Sequence, residues 1–365
     1  MPRLYVISGE VSGDIHGAKV IKRLRELSTA FSFRGVGGSK MKQEGVSLIS
    51  DISGSSTMGF LDVLRKLGSF RKLLKKVKAD ILEFRPEAVL LIDYGGFNMR
   101  MASFCRQHGI PVHYFILPKV WAWNEGRIKK LKNAVDFAYV IFPFEELYFS
   151  KHGMKAVYVG NPVEEHITTY RVKHNKPRTT ENSVALLPGS RPQEIKRILP
   201  TMLDLAGKTM NIQFTVAVPS SLKEKMDAYS LPPNVKIRYN QMYEVADKCA
   251  AAIVTSGTAN LEVALLGTPL IVVYKADPIS YLLAKQFVKI DYISPVNLIA
   301  NRSMVPELLQ GDFRLDHLNK ELNKAMKPNA RNQAKENRDE LMQILGEHTY
   351  SKTVANRIWS EIKTS

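Results

Sequence analysis

Short apolar runs alternate with longer amphipathic stretches along most of the chain. The runs are rich in Val, Ile, Leu and Tyr and are bounded by Gly, Pro, Ser or Asn, which gives them the length and punctuation of buried strands. In the first half the expected strands are Leu4–Ser8, Ser32–Val36, Ala88–Ile92, Val112–Phe115, Phe137–Ile141 and Ala156–Val159. In the second half they are Val184–Leu187, Gln213–Val218, Val235–Arg238, Ala251–Val254 and Leu270–Tyr274. Apolar residues recur at helical spacing between the runs, so the pattern predicts an α/β protein with mostly parallel sheets. The stretch "EEHITTYRVKHNKPRTTENS", Glu164–Ser183, is polar and basic and lacks apolar periodicity. It reads as a linker over 164–182, between a domain over 1–163 and a second over 183–345. A charged helical tail over 346–365 is expected to pack back on the first domain. Two doubly wound domains would present ligands at the carboxyl ends of their strands, across a cleft.

A length of 365 residues fits two cores better than one, and 45% hydrophobic with 24% charged residues is ordinary for a globular protein. Cys105 and Cys249 lie far apart and outside any CxxC or Cys/His cluster, which argues against a disulfide framework or structural zinc. No signal-peptide core opens the sequence, and no apolar run reaches the roughly 18 residues of a membrane span. A cytoplasmic protein is expected. The charge changes the picture most: 52 Lys and Arg against 35 Asp and Glu leave +17. Such an excess attracts polyanions, whether nucleic acid, phosphorylated substrates or an anionic membrane face, although it also serves as a solubilising surface.

Four segments could carry chemistry. In "VALLPGSRPQEIKRILP" a strand ends at Pro188-Gly189-Ser190 and a helix starts near Pro192. Amides at a helix start attract phosphate, and Arg191 could add a charge-assisted fork; a plain turn with a surface arginine looks the same. In "AAIVTSGTANLEVALLGTPLIVVY" a strand runs into Ser256-Gly257-Thr258, a helix begins at Ala259, and Glu262 lies one turn along. That layout can hold a diphosphate and a ribose, or it can be simple capping. Two such turns in one domain point to a nucleoside diphosphate. Neither GxxxxGK[ST] nor GxGxxG is present, and the eight histidines are scattered, His16 and His113 included. In the first domain "EAVLLIDYGGFNMRMASF" ends a strand at Asp93, placed either as a general base or as a turn aspartate before Gly95-Gly96. The opening loop "SGEVSGDIHG" has the layout of a phosphate cradle, yet Glu10 and Asp14 would repel one.

Two more segments bear on binding. "VHYFILPKVWAWNEGRIKKL" carries Trp121 and Trp123 on a Pro-containing loop, as a cleft wall or interface would. "STMGFLDVLRKLGSFRKLLKKVKADIL" has an apolar stripe with basic residues around it. Such a helix lies on an anionic membrane or packs on a core with its basic face in water.

Taken in order, "SGEVSGDIHGA", "TMGFLDVL", "LLID…FN", "HY…LPKVWAW", "LLPGSR…EI", "SGTANLE" and "DYISPVNLIANR…VPELLQ" resemble the lipid-A-disaccharide synthase family over roughly residues 3–311. The resemblance implies a GT-B glycosyltransferase of two Rossmann-like domains. It implies transfer of 2,3-diacylglucosamine from UDP to 2,3-diacylglucosamine 1-phosphate (lipid X), giving a β(1→6) disaccharide phosphate and UDP. It calls for no cofactor and no metal. By position it makes Asp93 the catalytic base. It assigns the UDP-sugar to Gly189, Ser190, Arg191, Met242, Ser256, Gly257, Thr258, Ala259, Glu262 and Asn297. The acceptor falls to Glu10, Ser12, Gly13, Asp14, Met58, Gly59, Asn98 and Trp121, with Ser12, Gly13 and Asp14 near the sugar or bracing Asp93. Membrane contact falls to Phe60, Leu64, Leu67, Arg71, Lys72 and Lys75, at the cytoplasmic face of the inner membrane. A homodimer is left open.

There are two departures. The family commonly has Pro-Asp where this chain has Gly95-Gly96, which leaves Asp93 as the sole carboxylate candidate of that loop. Lys119, in "ILPKVWAW", replaces a small polar residue and is placed to meet an acceptor phosphate. Other UDP-sugar enzymes of the same fold, a UDP-N-acetylglucosamine 2-epimerase or a muropeptide transferase, would share the second-domain signature but not the first-domain set. A nucleic-acid-binding protein would use the charge, but the basic residues accompany an apolar helix face and form no aromatic-interleaved platform.

Overall fold

The computed structural model describes residues 1–52, 67–123, 125–174, 181–277 and 291–364. The chain divides into two compact units, one of Met1–Pro162 with Glu347–Ser365 and one of Val163–Gly346. Each is a parallel sheet covered by helices.

The first unit's sheet contains β1 (Arg3–Ser8), β2 (Ser32–Gly37), β3 (Ser47–Asp51), β4 (Ala88–Ile92), β5 (Val112–Phe115), β6 (Phe137–Val140) and β7 (Ala156–Tyr158), in the order β3-β2-β1-β4-β5-β6-β7. Every strand pair is parallel. The all-aliphatic β4 is buried along its length, as a central strand covered on both faces must be. Along β1 the side chains alternate between two cores. Tyr5 and Ile7 join Val77, Ile81, Phe97 and Met101 on one face. Leu4 and Val6 join Ile21, Leu24, Tyr350, Val354 and Ile358 on the other.

Several polar groups inside these cores are paired. The Tyr5 hydroxyl donates to Asp80 at 2.7 Å, and Arg34 closes on the same carboxylate. This anchors the C-terminal half of the helix Leu67–Phe84 to β1 and β2. His113 is fully buried, with Nδ1 2.8 Å from the Tyr139 hydroxyl, and burial pushes its pKa down to about 3. His16 Nδ1 lies 3.1 Å from the Tyr350 hydroxyl. Both histidines have structural surroundings.

The second unit's sheet contains β8 (Glu181–Leu187), β9 (Gln213–Val218), β10 (Val235–Tyr239), β11 (Cys249–Thr255), β12 (Leu270–Tyr274) and β13 (Glu307–Leu309), in the order β10-β9-β8-β11-β12-β13. Its core gathers Val184, Leu186, Ile198, Met202, Phe214, Ile253, Ile271 and Leu318.

Three features differ from the pattern reading. β3 and β13 were not expected: β3 is a half-exposed edge strand of mixed polarity, and β13 is three residues long. The expected linker begins as a helix, Pro162–Lys173. Proline at its start and Glu164 and Glu165 in its first turn favour the helix, but Ile167 is its one fully buried apolar anchor, too few for a visible stripe. Residues 175–180 lie outside the described part. The C-terminal helix, Tyr350–Thr364, packs on the helix Val11–Leu27 within the first unit.

Ile358 is fully buried against that helix layer. Truncation in Ile358→Ala is expected to destabilise the first unit by about 2–5 kcal/mol, read by urea unfolding. A loss below about 0.5 kcal/mol would mean the tail is not part of the core.

Candidate active site

In the first unit β1 and β4 are neighbours, with Ser8 beside Ile92. The chain turns from β1 towards β2 and from β4 towards β5, so the loops after these strands diverge and leave a crevice at the switch point. Gly9-Glu10 follows β1, and Asp93-Tyr94 follows β4. Asp93 and Tyr94 are both left-handed, with φ of 48° and 52°. Side chains there are strained, so the surroundings must hold them. The Asp93 N–H donates to the Phe115 carbonyl at 2.9 Å. The Asp93 carbonyl accepts from Asn98 Nδ2 at 2.8 Å and from the Tyr114 hydroxyl at 2.9 Å. Above the turn the Tyr94 ring lies on Gly9, where a Cβ would come within 2.3 Å of it.

The half-buried Asp93 carboxyl is pushed up to about 6, first by burial and then by the charge of Glu10. A hydrogen bond from the Tyr94 amide and the charge of Lys119 oppose the shift. At neutral pH the group is therefore mostly ionised yet basic enough to take a proton. Lys119 is exposed, and its ammonium lies over the Phe142 ring, 5.4 Å from the centroid.

Several expected acceptor residues have other duties. The buried Asp14 carboxylate accepts from the amides of Gly38 at 2.7 Å and of Lys40 and Met41 at 3.0 Å. It ties down the turn after β2 and does not brace Asp93. Asn98 is fully buried and holds the β4 end through Ile92 and Asp93 carbonyls. Trp121 is buried: its Nε1 donates to Glu145 at 2.9 Å, and Glu145 also accepts the Ile141 and Phe142 amides. Ser12 is exposed, while Gly13 is buried with the Ser8 hydroxyl where a Cβ would go.

Met58, Gly59, Phe60 and Leu64 lie outside the described residues, as does the side chain of Leu67. In the described helix Leu67–Phe84, Val77 and Ile81 are buried, and Phe70, Leu73 and Leu74 pack against the same core. This part of the apolar stripe is therefore core, with Arg71, Lys72 and Lys75 exposed on the outer side.

In the second unit the switch point lies between β8 and β11, with Leu187 beside Val254. The two turns seen in the sequence come together here but differ. After β8, Glu194 Oε2 accepts the Ser190 amide at 2.9 Å and the Arg191 amide at 3.1 Å, and Oε1 accepts from the Arg191 guanidinium at 3.1 Å. The amides expected to hold phosphate are thus already bonded to a carboxylate. Glu194 could have been found as the acid of a capping box, three residues past Arg191.

After β11 the helix Thr258–Leu266 starts without a side-chain cap, and nothing lies within 4 Å of a Cβ placed on Gly257. Ser256 donates its hydroxyl to the Ile293 carbonyl at 3.1 Å, while Thr258 is exposed and Ala259 partly so. Glu262 accepts from the Tyr243 hydroxyl at 2.5 Å; burial pushes its carboxyl up, and that bond opposes the shift. Met242 opens the helix that carries Tyr243, whose ring packs 5.2 Å from both His166 and Tyr170. No sequence signal marked Tyr243. Asn297 is fully buried: it donates to the Val305 carbonyl and Glu307 and accepts the Met304 and Val305 amides. That commits all its donors and acceptors within the fold.

The family model for lipid-A-disaccharide synthetase matches residues 4–359. The lipid-A-disaccharide synthase of Syntrophus aciditrophicus is 37% identical over 319 residues, covering 84% of this chain and 83% of that protein. That of Myxococcus xanthus is 34% identical over 359 residues, covering 95% and 92%. Among solved structures, the kitacinnamycin glycosyltransferase superposes with a TM-score of 0.66 at 14% identity, covering 99% of this chain and all (100%) of that one. The Methanocaldococcus jannaschii UDP-GlcNAc 2-epimerase, solved with UDP-GlcNAc and UDP, gives 0.66 at 11% identity, covering 98% and 99%. These two establish the GT-B fold and nothing finer.

The Tyr94–Gly9 contact has a direct test. Gly9→Ala is expected to destabilise by about 1–3 kcal/mol, because the added methyl meets the ring. Adding Tyr94→Ala to that variant should cost less than Tyr94→Ala costs alone. Additive losses in a thermal-denaturation cycle would refute the contact.

Proposed function

The chain belongs to the lipid-A-disaccharide synthase family, and from that premise we propose its substrates and the roles of its residues. The protein is a glycosyltransferase that uses a UDP-sugar. The donor is UDP-2,3-diacylglucosamine and the acceptor is 2,3-diacylglucosamine 1-phosphate. The carrying observation is Asp93: a carboxylate on a pinned, strained turn at a switch point, with a pKa pushed up to about 6.

Asp93 takes the proton of the acceptor's 6-hydroxyl as that oxygen attacks C1 of the donor sugar. The C1–O bond to the diphosphate breaks and its electron pair leaves with UDP. Attack opposite the leaving group inverts C1 and gives the β(1→6) linkage. Charge growing on the diphosphate is met by the Arg191 guanidinium and by the amide dipoles at Gly257–Ala259. Glu262 faces the ribose from one turn along. Glu10 keeps the base strong, and Lys119 meets the acceptor's 1-phosphate. Arg71, Lys72 and Lys75 face an anionic membrane, the cytoplasmic face of the inner membrane, where each basic residue adds about 1 kcal/mol. No helix among the described residues is long and apolar enough to cross a membrane.

Incubation with both substrates tests the assignment: disaccharide phosphate and UDP should form in equal amounts. Asp93→Asn should lower kcat by about 100- to 10,000-fold, and turnover within about threefold of wild type would remove Asp93 as the base. Activity needs the ionised carboxylate, so kcat/KM should fall as pH drops through about 6. Glu10→Gln removes a charge that raises this pKa and should move the fall to lower pH; movement the other way contradicts the assignment. Lys119→Ala should raise the acceptor KM while leaving the donor KM alone.

A further inference from the structure

Glu194 is at first sight misplaced: an acid beside the arginine assigned to a diphosphate should weaken binding. Its geometry says otherwise. One oxygen takes the Ser190 and Arg191 amides and the other takes the Arg191 guanidinium, so a single carboxylate fixes both the backbone and the side chain of that arginine. Gly189 makes room for it, at φ 122° and with the place of a Cβ only 2.3 Å from Glu194 Oε2. Arg191 is otherwise exposed, with 69% of its side chain open to solvent. A long solvated side chain loses rotamer freedom when it docks on a ligand, and one already bonded to a carboxylate has lost part of it beforehand. A guanidinium has five N–H donors, and this pairing engages one of its nitrogens, leaving donors for an anion.

The neighbouring turn completes the picture. The start of the helix Thr258–Leu266 has no side-chain cap and an open Gly257, whereas the start of Pro192–Lys208 is closed by its own acid. We infer that Glu194 is the positioning residue of the UDP site: it holds Arg191 ready for the diphosphate and keeps phosphate off the Ser190–Arg191 amides. The diphosphate then sits at Gly257–Thr258 and takes only the guanidinium from the β8 loop. This rests on the UDP-sugar reading given above.

Calorimetric titration of wild type, Arg191→Ala, Glu194→Ala and the double variant with UDP and with uridine tests it. UDP should bind about tenfold more weakly to Arg191→Ala. It should also weaken in Glu194→Ala, although that variant has lost a negative charge beside a diphosphate. The double variant should be no weaker than Arg191→Ala alone. Uridine, without phosphate, should bind all four proteins equally. Tighter UDP binding by Glu194→Ala would make Glu194 a plug that phosphate expels and overturn the inference. Independent, multiplying losses in the double variant would also overturn it, as would parallel losses for uridine, the mark of a merely structural role. Wild-type protein that binds neither UDP nor uridine would sink the UDP-sugar reading itself, an outcome separate from any ordering among the variants.

Discussion

Adjacent parallel strands that hand the chain off in opposite directions set the constraint on which the chemistry of this protein depends. Each sheet has one such place, between β1 and β4 and between β8 and β11. Residues distant in sequence meet there: Glu10 with Asp93, and the Gly189 loop with the Ser256 loop. The price at the first place is two successive left-handed residues, each about 1–3 kcal/mol above a relaxed backbone. Hydrogen bonds from Asn98 and Tyr114 and the seat of Tyr94 on Gly9 offset it. The Asp93-Tyr94 turn is therefore held largely through its backbone groups.

Acids decide which turns are open. Asp14 and Glu194 both stand in the first turn of a helix that follows a glycine-rich loop, and both give their carboxylates to backbone amides. Asp14 serves the turn after the neighbouring strand, and Glu194 serves its own. The segment Ser256–Ala259 carries no acid, and its helix start is uncapped. A carboxylate near a glycine-rich turn thus signals amides already satisfied.

Much of this was legible in the residues because buried parallel strands leave near-continuous aliphatic runs. Ala88–Ile92, Gln213–Val218 and Leu270–Tyr274 read directly from composition. β3 did not, because an edge strand half in water has no such signature. Asp93 was legible as a candidate because it ends a strand ahead of a glycine pair. The surroundings of Trp121, Asn98 and Asn297 were not legible, because a motif does not show which of a polar group's donors and acceptors bond to its own fold. Their partners, Glu145, the Ile92 and Asp93 carbonyls and the Val305 loop, are set by tertiary contact.

The return of the helix Tyr350–Thr364 to the first unit has a consequence for synthesis. Leu4, Val6 and Ile21 share a core with Tyr350, Val354 and Ile358, made only after the whole second unit has been translated. All of the second unit is therefore translated before the first unit has the residues to close its own core. Through that interval an aliphatic layer on the first-made sheet faces water, a surface for chaperones or for aggregation. A helix encoded beyond the second unit thus seals the core of the first.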